Sequence, residues 1–78
     1  MSTSESQIEA MLVSPPEREE LVVQFFARDG GQWGELYREN GQFWIELCLV
    51  GGSPLRFKVE DMIGTISRSL AVLQERLG

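Results

Sequence analysis

The sequence predicts an α+β domain: a four-stranded antiparallel β-meander with a C-terminal α-helix packed on one face (ββββα), preceded by a flexible or docked N-terminal segment. Three observations carry the prediction. Asn40-Gly41, between runs of alternating apolar residues, is the strongest short hairpin signal in the chain. Two more glycine-rich turns, at Gly30-Gly31 and Gly51-Gly52, divide Glu20 to Val59 into four β-prone runs. Beyond Asp61 the apolar spacing changes from alternation to a helical period.

In chain order, residues 1–16 read as a tail whose first six residues are polar and lack apolar anchors. Ser4 followed by Gln7 fits a capping box for a short docking helix carrying Ile8, Met11 and Leu12, which Pro15-Pro16 would end. Residues 17–78 form the single ββββα domain, entered through the charged run Glu17-Arg18-Glu19-Glu20. Its strands are expected at Leu21 to Arg28, Trp33 to Arg38, Phe43 to Val50 and Leu55 to Val59, with Pro54 acceptable at the start of an edge strand.

A strand register that slips by one residue sends every side chain to the wrong face, so the turns can be tested against the apolar pattern. A Gly30-Gly31 loop sets Phe25 opposite Leu36 and Arg28 opposite Trp33. An Asn40-Gly41 loop sets Leu36 opposite Ile45 and Tyr37 opposite Trp44, and a Gly51-Gly52-Ser53 loop sets Leu47 opposite Phe57 and Ile45 opposite Val59. These registers agree on one apolar face, with Arg38 at its rim and Gly34 leaving room for a larger neighbour. Asp61 is placed to cap a helix running to about Leu77, in which Ile63, Ile66, Leu70, Leu73 and Leu77 form a stripe about 100° wide. That stripe is expected to cover the apolar face.

Composition excludes several chemistries. The chain has one cysteine and no histidine, so it holds no internal disulfide, no Cys/His zinc set and no Ser-His-Asp or Cys-His arrangement. No cofactor or metal site is expected, and the chain is read as not an enzyme. The formal net charge of −5 favours solubility and weighs against unspecific binding to nucleic acid or anionic membranes. No apolar run approaches the roughly 18 residues of a membrane span. The polar opening from Met1 to Ser6 does not resemble a signal peptide, so a cytoplasmic setting with a reduced Cys48 is expected.

The candidate site is the second face of the sheet, expected to present Phe26, Arg28, Trp33, Tyr37, Trp44 and Arg56. A solvated sheet face ordinarily carries Thr, Lys, Glu and Ser, so aromatics gathered there mark an interaction surface. The expected function is a small non-catalytic protein-interaction or regulatory module that binds a protein partner or itself as a homodimer. The alternative is single-stranded nucleic acid or another anionic ligand on the same face, with Arg28 and Arg56 flanking Trp33. A third possibility is structural, with Ile8, Met11 and Leu12 folded over Tyr37 and Trp44. Glu35 opposite Glu46 is the one paired-carboxylate arrangement, read as part of a charge ladder with Lys58 and Arg28. Cys48 is read as a small packed side chain.

Overall fold

The computed structural model describes residues 8–27, 30–48 and 56–78. Four strands, β1 (Glu9–Val13), β2 (Val22–Phe26), β3 (Gln32–Glu39) and β4 (Gln42–Leu47), precede one helix, α1 (Val59–Leu77). The strands lie in the order β1-β2-β3-β4, each antiparallel to its neighbour. The α+β class and the ββββα order are those expected, but the sheet is displaced by one strand along the chain.

The displacement begins at the N-terminal segment. Glu9–Val13, expected as a short docking helix, is an edge strand paired with β2 through Leu12↔Val23 and Ala10↔Phe25. The spacing of Ile8, Met11 and Leu12 suits one helical turn, but a helix this short is marginal alone and Pro15 follows it closely. As a strand, the same residues gain a ladder partner and place Ile8 and Leu12 against the core. At the other end, the strand expected over Leu55 to Val59 is replaced. Residues 56–58 are irregular, Val59 opens α1, and Leu55 and the Gly51-Gly52-Ser53 turn lie outside the described residues. The expected pairings Leu47 to Phe57 and Ile45 to Val59 are therefore not made. The helix also starts earlier than expected. Lys58 is its N-cap residue, and Asp61 stands with Glu60 in the first turn, where carboxylates complement the helix dipole.

The central hairpin is as the sequence specifies. Asn40 and Gly41 both adopt positive φ, 55° and 77°, the twist a two-residue type I′ turn requires. The pairs Glu39↔Gln42, Tyr37↔Trp44, Leu36↔Ile45 and Glu35↔Glu46 follow from it. Between β2 and β3 the partners differ from expectation: Leu36 meets Val23, and Phe25 meets Gly34. A shift of this even size keeps the same residues on the same face. A bulge then interrupts the ladder, because Phe26 pairs with Gln32 and Trp33 becomes the extra residue.

The bulge turns Trp33 into the core. Its side chain is 4% exposed, stacked on Phe25 at 5.1 Å and tilted against Phe57 at 5.1 Å. Gly34 beside it has the spacing role expected, since Phe25 lies 3.4 Å from where a Cβ would stand. The core cluster comprises Val23, Phe25, Ala27, Trp33, Leu36 and Leu73, with Leu12, Phe43, Met62, Leu70 and Leu77 among the half-buried residues packed around it. The helix lies over β1, β2 and β3 and makes no close backbone approach to β4.

Candidate protein-interaction surface

Of the six residues expected to form the aromatic face, the structure brings two together. Tyr37 and Trp44 are directly paired across β3 and β4, with Trp44 49% exposed and its indole N–H donating to the Glu39 carbonyl at 3.4 Å. Phe26 is half-buried at the far end of β2, opposite Glu9. Trp33 does not belong to this face, because the bulge has moved it into the core. Arg56 is exposed in the irregular segment before α1 and not in a strand row beside Trp33, and Arg28 lies outside the described residues. Cys48 is exposed rather than packed.

The linker from β1 to β2 supplies a residue that sequence reasoning missed. Arg18 crosses the second face with its guanidinium 3.8 Å from the Tyr37 ring centroid. Its Nε and Nη2 donate to Glu35 Oε1 at 3.1 and 2.8 Å, and Nη2 lies 3.5 Å from Glu46 Oε1. Gln24 Nε2 donates to the other Glu35 oxygen at 3.4 Å. The hydrogen bonds to Glu35 raise the Arg18 pKa, so the guanidinium stays charged. The cross-strand pair Glu35↔Glu46 is thus bridged by Arg18, a cation from the linker, where Lys58 and Arg28 were expected. The folded-back segment does cover Tyr37, but with Arg18 and not with Ile8, Met11 or Leu12.

At the hairpin end, Arg38 donates to both oxygens of Glu20, which lowers the Glu20 pKa. An open groove of about 610 Å³ runs between residues 17–22 and 37–41. Its cations, Arg18 and Arg38, are already engaged by carboxylates, so it offers an anion no unpaired positive charge. Among the described residues no group of three or more His, Cys, Asp or Glu is arranged to hold a metal. Among the described residues no helix is long and apolar enough to cross a membrane.

The most exposed apolar surface lies on β4. Phe43, Ile45 and Leu47 point to the helix side of the sheet; Phe43 is half-buried against the core, but α1 makes no close backbone approach to β4, and Ile45 is 41% exposed and Leu47 72%. The helix is rolled relative to its apolar stripe. Thr65, Ser69 and Leu73 are its buried residues, and Thr65, Ser69 and Val72 line the groove beside Ile8 and Leu12 of the β1 side. At about 100° per residue, Ile63 falls on the flank opposite Val72 and so faces away from β1. Ile63 is 60% exposed. The apolar stripe read from the sequence is therefore only partly used, because Thr65 and Ser69 to one side of it are buried while Ile63 on its other side is exposed.

Among the described residues β4 is also an edge strand with no second partner. The two-residue turn makes Glu39 and Gln42 a hydrogen-bonded pair, so alternate residues from Gln42 point their backbone groups at β3. The Cys48 N–H donating to the Trp33 carbonyl at 2.8 Å continues that alternation. The N–H and C=O groups of Phe43, Ile45 and Leu47 point outward, and among the described residues no strand meets them. The sequence signal for this surface was present in Phe43 to Leu47. It was assigned to the covered face because β4 was expected in the sheet interior. Comparison of the chain with protein-family models, with curated proteins and with solved structures finds no match.

Proposed function

We propose that the chain is a small, non-catalytic cytoplasmic interaction module whose binding surface is the β4 edge, with Trp44 on one side and Ile45 and Leu47 on the other. The observation that carries this reading is that Trp44, Ile45 and Leu47 of β4 are all exposed although large and apolar, while Phe43 alone is half-buried. An exposed edge strand with outward backbone groups and an apolar side is a template for strand addition, and folded proteins ordinarily blunt such edges with charge, proline or a covering element. β4 has no proline and no lysine, and its single charged residue, Glu46, points to the opposite face. The stacking of single-stranded nucleic acid has less support than the sequence suggested, since Trp33 is in the core and Arg18 already occupies Tyr37.

The reading is tested with a photo-cross-linking amino acid at Leu47 and, as a control, at Glu75 on the exposed outer side of the helix. Irradiation in cells is expected to give a discrete protein adduct from position 47 and none from position 75. No adduct from position 47 would remove the proposal.

A further inference from the structure

We infer that the occupant of the β4 edge is a second copy of this chain, paired antiparallel across a two-fold axis at Ile45 so that one sheet runs through both copies. This deepens the interaction-module reading and rests on it. The argument begins with the backbone groups. Phe43, Ile45 and Leu47 direct N–H and C=O outward, so an added antiparallel strand must present residues of the same kind opposite them. A two-fold axis at Ile45 meets that demand with the chain itself. Phe43 faces Leu47 of the second copy, Ile45 faces Ile45, and Leu47 faces Phe43, and each is a hydrogen-bonded pair.

The competing two-fold registers are poorer. An axis at Trp44 leaves Leu47 without a hydrogen-bonded partner in the opposing β4. An axis at Glu46 sets the two Glu46 carboxylates directly opposite each other, which is destabilising, and leaves Phe43 unpaired. With the axis at Ile45, Glu46 instead faces Trp44 of the second copy. The charge distribution favours self-pairing in the same way. A chain of net charge −5 repels its own copy wherever acidic surfaces meet. The row Phe43, Ile45 and Leu47 carries no charge, so this is a side on which two such chains can approach. Symmetry narrows the choice further. Pairing β4 with β1 of another copy would be head-to-tail and would not close on two copies, whereas the two-fold arrangement does. Pairing over one short strand sits at the low end of specific interface sizes, so a dimer in exchange with single chains is expected.

The native thiol makes the test direct. Cys48 is the one cysteine of the chain, it is exposed, and it continues β4 beyond Leu47. With the axis at Ile45, the two Cys48 Cα atoms are separated by about 20 Å; an axis at Trp44 gives about 27 Å and one at Glu46 about 14 Å. Sedimentation of the wild-type chain is expected to show a mass twice 8.8 kDa at concentrations up to about 0.2 mM. Spin labels on Cys48 are expected to report the distance near 20 Å. Ile45→Lys places two ammonium groups at the axis and is expected to return the mass to that of one chain. Because Ile45 is already 41% exposed, that variant should keep the wild-type circular dichroism.

A mass of 8.8 kDa throughout the series overturns the inference, as do species that grow steadily with concentration. A dimer whose labels report either of the other separations overturns the register and the argument behind it. The fate of the broader reading is separable. A single-chain mass with a Leu47 adduct to a different protein ends self-pairing and leaves the interaction module standing. A single-chain mass with no adduct removes both.

Discussion

β1 and β4 are both short edge strands with apolar residues on their helix side, Ala10 and Leu12 in the first and Phe43, Ile45 and Leu47 in the second. In β1 that side lies beside α1, and Leu12 packs against the core although Ala10 stays exposed. In β4 the helix is absent overhead, and Leu47 is 72% exposed. The difference does not come from the residues on that side, since β4 carries the larger apolar row there. It comes from which side of the sheet's centre each occupies relative to a single helix. One helix lies over β1, β2 and β3, and adding a strand at the N-terminal edge draws it away from β4. Burial here is allocated by the position of the cover and not by the hydrophobicity of what needs covering.

Trp33→Ala should have the largest effect. It empties the space between Phe25 and Phe57, at a cost of about 3–5 kcal/mol. For a small domain that is a large part of the whole stability, so chemical denaturation should show the midpoint collapsing toward zero denaturant. The Trp33 indole N–H is buried without a hydrogen-bond partner among the described residues, so Trp33→Phe should cost clearly less than Trp33→Ala. Equal losses for the two would mean that stacking contributes little.

The same substitution placed on the two edges breaks the comparison directly. Leu12→Lys must push an ammonium against the core under α1 and should destabilise by about 2–3 kcal/mol. Leu47→Lys, measured at concentrations where the chain is single, should change stability by less than about 0.5 kcal/mol. Similar values at both positions would show that the helix does not distinguish the edges.

Arg18→Ala probes the second face. It leaves the buried Glu35 carboxylate with the distant Gln24 amide alone, which costs about 1–3 kcal/mol, and it uncovers Tyr37. Hydrogen exchange should then quicken in β2 and β3 more than in α1. The smallest effect is expected at the rim. Arg38 holds the Glu20 pKa below its ordinary value, so this pair's stabilisation is present above the usual carboxylate range and is lost as pH falls through the lowered pKa. In Arg38→Ala, NMR titration should show the Glu20 carboxyl returning upward to the ordinary range. No movement would mean that the pair is not populated in solution.

Much of the fold was legible in local chemistry. Asn40-Gly41 specifies positive φ at consecutive residues, and with it the register of Tyr37 to Trp44 and of Glu35 to Glu46, because a two-residue turn allows one alignment. The helical period after Asp61 specified α1. The candidate site was less legible. Trp44 and Tyr37 were placed correctly, but Trp33 needed knowledge of a bulge that no turn residue announces, and Arg18 needed the path of a linker.

What the sequence determined by itself is therefore the set of short-range structures, the central hairpin and the amphipathic helix, where the deciding contacts lie within a few residues. The tertiary structure decided which segments complete the sheet and which face the helix seats upon. Glu9–Val13 and residues 55–59 were both eligible as edge strands, and pairing with β2 together with helix initiation at Val59 chose the first. The contacts that made that choice join residues far apart in the chain, so their energy is absent from any local pattern. That choice is what left β4 uncovered.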